Sequence, residues 1–289
     1  MKSFYAEYVP LDGDTLGWGT VALLPWDTEV FGFAVADWRP GDALEIEARQ
    51  AAFVARLARW TSERGVELVG CRLPAAGGQV LSAVLAQAGF RFVEASLSAS
   101  LTPLTGERLP QARIAVRRAV PEDSERLLSI AGSAFDTGRY HADARLPRLL
   151  ADARYRFWLA NALTRPGAGT RVFAIGEPGR PIGFFHVEVN GDAADLRLGA
   201  VDARANPGVA GYALYSGVLF ALAAEGVRRV EARFSATNTA VVNLYAALGF
   251  RFSSPEIVMH WHSPAATRLL RTAGSAAVLA EVHGQGPAR

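Results

Sequence analysis

The sequence predicts an α/β protein in two parts, the second of them a mixed sheet flanked by helices. Three observations carry that expectation. Short apolar stretches of strand length take turns with stripes of helical period along most of the 289-residue chain. The corner Leu85-Ala-Gln-Ala-Gly-Phe-Arg-Phe92 is echoed by Tyr245-Ala-Ala-Leu-Gly-Phe-Arg-Phe252, a helix end, a glycine stop and a strand each time. Half of the residues are apolar and a fifth are charged, which supplies buried cores and argues against wholesale disorder.

In the first part, an extended start over Val21–Leu24 leads into the aromatic-rich segment Pro25–Phe33, read as a loop. Leu44, Ala48, Ala51, Ala55 and Ala58 recur at helical spacing with Glu47, Arg49, Arg56 and Arg59 off that stripe. This predicts a helix ending at Gly65. A strand over Val66–Leu73, a helix over Gln79–Ala88 and a strand over Phe90–Leu101 follow. Thr102–Gln111, with Pro103, Gly106 and Pro110, has the composition of a linker. The expected boundaries are 1–104 for the first domain, 105–111 for the linker, 112–263 for the second domain and 264–289 for a tail.

The second domain opens with a strand over Ala112–Arg118. Pro121-Glu-Asp123 has the chemistry of a helix first turn, and Leu127, Leu128, Ile130, Ala131 and Ala134 supply the buried face behind it. After the polar stretch Asp136–Asp143 comes a helix over Arg148–Leu163. Strands over Arg171–Ile175, Ile182–Val189 and Asp195–Asp202 are joined by Glu177-Pro-Gly179 and Asn190-Gly-Asp192, both hairpin turns by composition. A long apolar helix, a strand over Val227–Phe234, a helix over Thr239–Leu248 and a last strand over Phe250–His262 complete the domain. Ala265–Arg271 has some helical character.

Several function classes are excluded. A net charge of +2 gathers no phosphate backbone, so no dedicated nucleic-acid partner is expected. The 29 arginines against the single Lys2 read as coding bias. The lone Cys71 rules out an intramolecular disulfide and a cysteine-cluster metal site, and no metal is expected. The uncharged stretch Ala205–Ala224 contains Pro207, Gly208, Gly211 and Gly217, so its usable apolar length falls short of the ~20 residues a membrane span needs. The chain opens without a leader-like pattern, and a cytoplasmic location is expected.

The most informative stretch is Asn238-Thr-Ala-Val-Val-Asn-Leu-Tyr-Ala-Ala-Leu-Gly-Phe250. An asparagine, then Leu244-Tyr245, then Leu248-Gly249-Phe250 resembles the closing motif of the GNAT acyl-CoA N-acyltransferases. Arg118-Ala-Val-Pro-Glu-Asp123 resembles that family's opening strand and helix. The resemblance covers roughly the C-terminal 150 residues. It implies the GNAT fold there, preceded by a smaller, degenerate GNAT-like α/β domain, and it implies acetyl-CoA as cofactor.

By that resemblance Leu198, Gly199, Ala200 and Val201 would pair with the acyl-pantetheine arm, one of their N–H groups polarising the thioester carbonyl. The turn at Asn206, Gly208, Val209, Ala210, Gly211, Tyr212 and Ala213 would hold the pyrophosphate at a helix N-terminus. The glycine pattern there departs from the family's, with Asn206 and Val209 at two of its defined positions. Asn238 and Asn243 would also face the cofactor, and Tyr245 would protonate the departing sulfur. His186 and Glu188, alternating onto one face of a strand, and His141 are the candidates for a general base. With Cys71 in the other part of the chain, direct attack by the amine is preferred to an acyl-cysteine route.

Leu24-Pro-Trp-Asp-Thr-Glu-Val-Phe-Gly-Phe33 and Gly138-Arg-Tyr-His-Ala-Asp143 resemble segments of the sugar-nucleotide acetyltransferases that acylate TDP-fucosamine. That implies a small-molecule amine acceptor, an amino-sugar with or without a nucleotide. Arg139, His141, Trp158 and Asn161 are then the acceptor-binding candidates, Arg139 because its planar fork suits a diphosphate or carboxylate. Another small amine, such as an amino acid or an antibiotic intermediate, and acyl-CoA binding without turnover are the alternatives. Edge strands of this fold commonly pair, which leaves a homodimer open.

Overall fold

A computed structural model of the chain describes residues 7–11, 17–106 and 115–264. β1 (Val9–Pro10) and β2 (Gly19–Leu23) lead into α1 (Pro25–Phe31), where the sequence suggested a loop. Proline in its first turn and a left-handed Gly32 at its C-cap supply both helix ends within a few residues. β3 (Ala34–Pro40), α2 (Ala43–Ala48), α3 (Gln50–Glu63), β4 (Val66–Pro74), α4 (Gln79–Gln87) and β5 (Arg91–Leu101) follow.

The alanine stripe expected to be buried on α2 and α3 is the exposed one. Leu44 is 71% accessible, and Ala48, Ala51, Ala55 and Ala58 also face out, while Ile46, Phe53, Leu57 and Trp60 are buried. The larger side chains take the core because they remove more apolar area from water, and alanine serves the exposed face through its helix propensity.

The chain continues through β6 (Val116–Arg118), α5 (Ser124–Ala131), α6 (Arg139–Ala142), α7 (Arg148–Thr164), β7 (Thr170–Glu177), β8 (Arg180–Asn190) and β9 (Ala193–Val201). α8 (Pro207–Ala224), β10 (Arg229–Ser235), α9 (Thr239–Ala247), β11 (Arg251–Phe252) and β12 (Glu256–His262) complete it. The last strand, expected as one piece, is broken between Phe252 and Glu256 at Ser253-Ser-Pro255. No described helix is long and apolar enough to cross a membrane. The helix suggested around 265–271 lies outside the described residues.

Two compact units result, and their boundaries differ from those expected at 104 and 112. The first takes the chain through Glu94, then Arg139–Ala151 and β12; the second takes Ala95–Gly138 and Asp152–Pro255. In the first unit the sheet order is β1-β2-β3-β4-β12, with β2 and β3 antiparallel, β3 and β4 parallel, and β4 and β12 antiparallel. Its core is built on Trp18, Trp38, Phe53, Trp60 and Phe90, and the Trp38 indole donates to the Trp18 carbonyl oxygen at 3.0 Å.

The second unit repeats that pattern. β8 and β9 are antiparallel, β9 and β10 parallel, and β10 and β5 antiparallel, with β7 and β6 beyond β8. The echoed corners also match bond for bond. Phe90 N–H donates to Leu85 and Gly89 N–H to Ala86, as Phe250 does to Tyr245 and Gly249 to Ala246. Gly89 and Gly249 have φ of 93° and 82°, the left-handed conformation that glycine adopts without a Cβ clash. The chain after each corner then crosses to the other unit: β5 lies along β10, and, once β11 has paired with β5, β12 lies along β4. That exchange is why the compact units do not divide at the linker.

Candidate functional site

The second unit carries an irregularity at β9. Ala193–Leu196 lie parallel to Arg229–Ala232 of β10. On the β8 side the register shifts between His186 and Val187, leaving Arg197 as an extra residue. A bulge bends its strand and inverts the facing of the residues after it. Accordingly, Ala194 and Leu196 are buried with α8, whereas Leu198 and Ala200 are buried with α5 and α7. β9 and β10 both run on, to Val201 and Ser235, without pairing beyond Leu196 and Ala232. The strands therefore part, and Leu198–Val201 keep a main-chain edge that β10 does not use. Gly199 has no room for a side chain, since a Cβ there would lie 2.7 Å from the Phe185 ring.

The α8 N-terminus follows the parted segment. Asn206 caps it, its Oδ1 accepting from Val209 N–H at 3.3 Å, and its carbonyl oxygen accepts from Ala210 N–H at 2.9 Å. Pro207 has no N–H, so among these first-turn residues Gly208 retains the N–H free of such bonds. Gly211 opens onto space with no atom near its Cβ position, Val209 is exposed, Tyr212 is half-buried and Ala213 belongs to the core. The parted strands fit an extended acyl-pantetheine arm, but a diphosphate at this turn has to displace the Asn206 cap.

Tyr245 lies at the level where the strands part, since its ring stacks on Phe234, two residues beyond the last β9–β10 pair. The ring packs in the core of the second unit. It is 3% exposed and also meets Phe250 and Tyr215. Its hydroxyl has no hydrogen-bond partner among the described residues. Burial, then the neighbouring Tyr215 and Asp195, push the phenol well above its ordinary value, so it keeps its proton.

Asn238 is a helix cap in this structure. Its Oδ1 accepts from Val241 N–H at 3.2 Å and its Nδ2 donates to Thr137 Oγ1 at 3.2 Å. Asn243 is exposed on α9.

Of the proposed bases, His186 is buried and its Nε2 lies 2.9 Å from Glu188 Oε1, which also accepts from Thr170 Oγ1 at 2.9 Å. Burial favours the neutral carboxyl, but the bonds from His186 and Thr170 outweigh it and hold Glu188 below the usual range. Trp158 meets the His186 ring edge-on at 6.2 Å and stacks under the Arg154 guanidinium. Asn161 donates to the Phe157 carbonyl oxygen within α7. Asp195, opposite Glu188 in register, was not singled out from the sequence. Burial and Glu231 raise its carboxyl. The available signal was an acidic residue in a strand whose other charged residue is Arg197.

Arg139 and His141 belong to the first unit, on α6. Arg139 is buried between carboxylates, 3.6 Å from Asp27 and 3.7 Å from Asp37, and donates to the Tyr140 hydroxyl at 2.9 Å. Tyr140 in turn donates to Asp27 at 2.6 Å. The two segments that resemble the sugar-nucleotide acetyltransferases thus join each other inside one unit, because a buried guanidinium needs its charge matched nearby. Cys71 is buried there too, and burial raises its thiol, which keeps it unreactive.

Residues 113–251 match the family model described as the acetyltransferase (GNAT) domain. Those residues, a little under half of the chain, resemble that domain, and the parted strands lie within them. A GCN5-related N-acetyltransferase from Sphaerobacter thermophilus is similar in structure, with TM-score 0.60 and 15% identity over 85% of this chain and 76% of that one. A GCN5-related N-acetyltransferase from Kribbella flavida gives 0.55 and 14% over 88% of each chain. A GNAT-family acetyltransferase from Colwellia psychrerythraea gives 0.52 and 14% over 89% and 84%. At such identities the likeness is one of fold. No curated protein matches the sequence.

Proposed function

We propose that the GNAT domain moves an acetyl group from acetyl-CoA to the primary amine of an amino-sugar by direct attack. The observation that carries this reading is the parting of β9 from β10 beside a buried, protonated Tyr245. Acetyl-CoA supplies the acyl group as a thioester open to attack by an amine. Leu198–Val201 offer main-chain groups to the pantetheine arm, and one of their N–H groups steadies charge on the carbonyl oxygen. Gly208 and the first turn of α8 hold the diphosphate once Asn206 turns away. Tyr245 donates its proton to the departing sulfur. Glu188, held ionised by His186 and Thr170, attracts the incoming ammonium, Asp195, made more basic by burial, takes one proton from it, and the second proton that the nitrogen sheds after attack restores Tyr245.

The acceptor follows from the side chains that remain on that face. Trp158 offers a ring for the apolar side of a sugar. With Arg139 matched to Asp27 and Asp37, the sequence-based reason for a nucleotide diphosphate is gone, and a free amino-sugar fits better. Thiol release from acetyl-CoA should saturate with at least one member of a panel of amino-sugars. The same assay with nucleotide-linked amino-sugars, amino acids and polyamines sets the class, and a flat response to every sugar overturns the reading.

A further inference from the structure

The first unit contains a cluster of titratable side chains to which the reading above gives no role. β12 places His260 and His262 on one face, two residues apart. The turn after α6 brings Asp143 to them across more than a hundred residues of sequence. Asp143 Oδ2 lies 2.8 Å from His260 Nδ1 and 2.7 Å from His262 Nε2. One oxygen and two imidazole nitrogens thus converge, all within 4.8 Å of one another and buried. We propose that Asp143, His260 and His262 bind a divalent ion of the zinc type.

Three features support this assignment. The donor set is one that zinc takes, two imidazoles and a carboxylate, with a fourth position left for water. Bond lengths of about 2.1 Å place tetrahedral ligand atoms ~3.4 Å apart, so the carboxylate oxygen needs to draw back from each imidazole nitrogen by roughly 0.6 Å. Next, the second oxygen of Asp143 is already fixed. It accepts from Arg145 N–H at 3.0 Å and Nε at 3.2 Å, and Arg145 Nη2 donates to the His260 carbonyl oxygen at 3.0 Å. Such outer bonds orient a ligating carboxylate.

Finally, the cluster is joined to a second group of carboxylates. Asp27 and Asp37 flank Arg139, and the Tyr140 ring links that group to the cluster, 5.6 Å from His260 and hydrogen-bonded to Asp27. The sequence reading, which expected no metal, turned on the lone cysteine; the histidine pair lies far along the chain from its carboxylate, so no local spacing marks the cluster.

Metal analysis of the full chain, purified without chelators, is expected to find one equivalent of zinc. Cobalt added to the chelator-stripped chain should develop the visible bands of a four-coordinate site, saturating at one equivalent, and should raise the thermal midpoint. His262→Ala should abolish this. Arg145→Ala, which spares all three ligands, should fold and weaken cobalt affinity by about 10–100-fold. Absence of bound zinc together with a colourless titration and an unmoved midpoint in the native chain overturns the proposal and leaves a hydrogen-bonded clamp.

Discussion

Replacing Tyr245 by phenylalanine is expected to lower kcat for acetyl transfer by about 100-fold, the usual scale for loss of a positioned proton donor, with little change in KM for acetyl-CoA. The substitution removes one oxygen and leaves the ring among Phe234, Phe250 and Tyr215. Because that hydroxyl bonds to no described residue, stability should move by less than about 1 kcal/mol. Steady-state kinetics and a melting curve on the same preparation separate the two readings. An unchanged kcat removes Tyr245 from the chemistry and leaves it as packing; a large loss of stability shows that the fold needs the hydroxyl.

The largest expected effect on stability is at Asp123. Its carboxylate is fully buried and takes two bonds from Arg117, at 2.6 and 2.9 Å. It also accepts from the backbone N–H groups of Val120 and Gly179, both at 2.9 Å. One side chain thus ties β6, the start of α5 and the β7–β8 hairpin. Burial opposes its charge, but the Arg117 and backbone bonds win and hold it below the usual carboxylate value. Asp123→Asn leaves Arg117 without its counter-charge and should cost about 3 kcal/mol. Because the folded value lies below the unfolded one, this contribution is complete above about pH 4 and fades as the pH falls further. Urea unfolding at neutral pH should show the loss, and the gap between variant and parent should narrow in acid. A gap that widens in acid contradicts this account of the charge.

Much of the fold was legible because it rests on local rules. Gly179 and Gly191 do close the hairpins, and Leu127, Ile130 and Ala131 do bury α5. The GNAT motif pointed correctly to the second unit, and the repeated Gly-Phe-Arg-Phe corner marked a true structural repeat. The features that stayed hidden depend on pairing between distant segments. Nothing local to β5 or β12 says which sheet each will join, and nothing local to Arg139 and His141, inside the matched residues, says that their contacts lie in the first unit. The bulge at Arg197 is equally silent in sequence, yet it turns Leu198 and Ala200 to a new face and frees the strand edge. Asp195 and the Asp143 cluster gain their character only from neighbours brought near by folding.

The account stands or falls on the unpaired edge of β9. Amide exchange measured residue by residue, with and without acetyl-CoA, tests it directly. Protection gained at Leu198–Val201, with the first unit unchanged, is the predicted result. Exchange at those amides that stays the same while the ligand is shown to bind contradicts it.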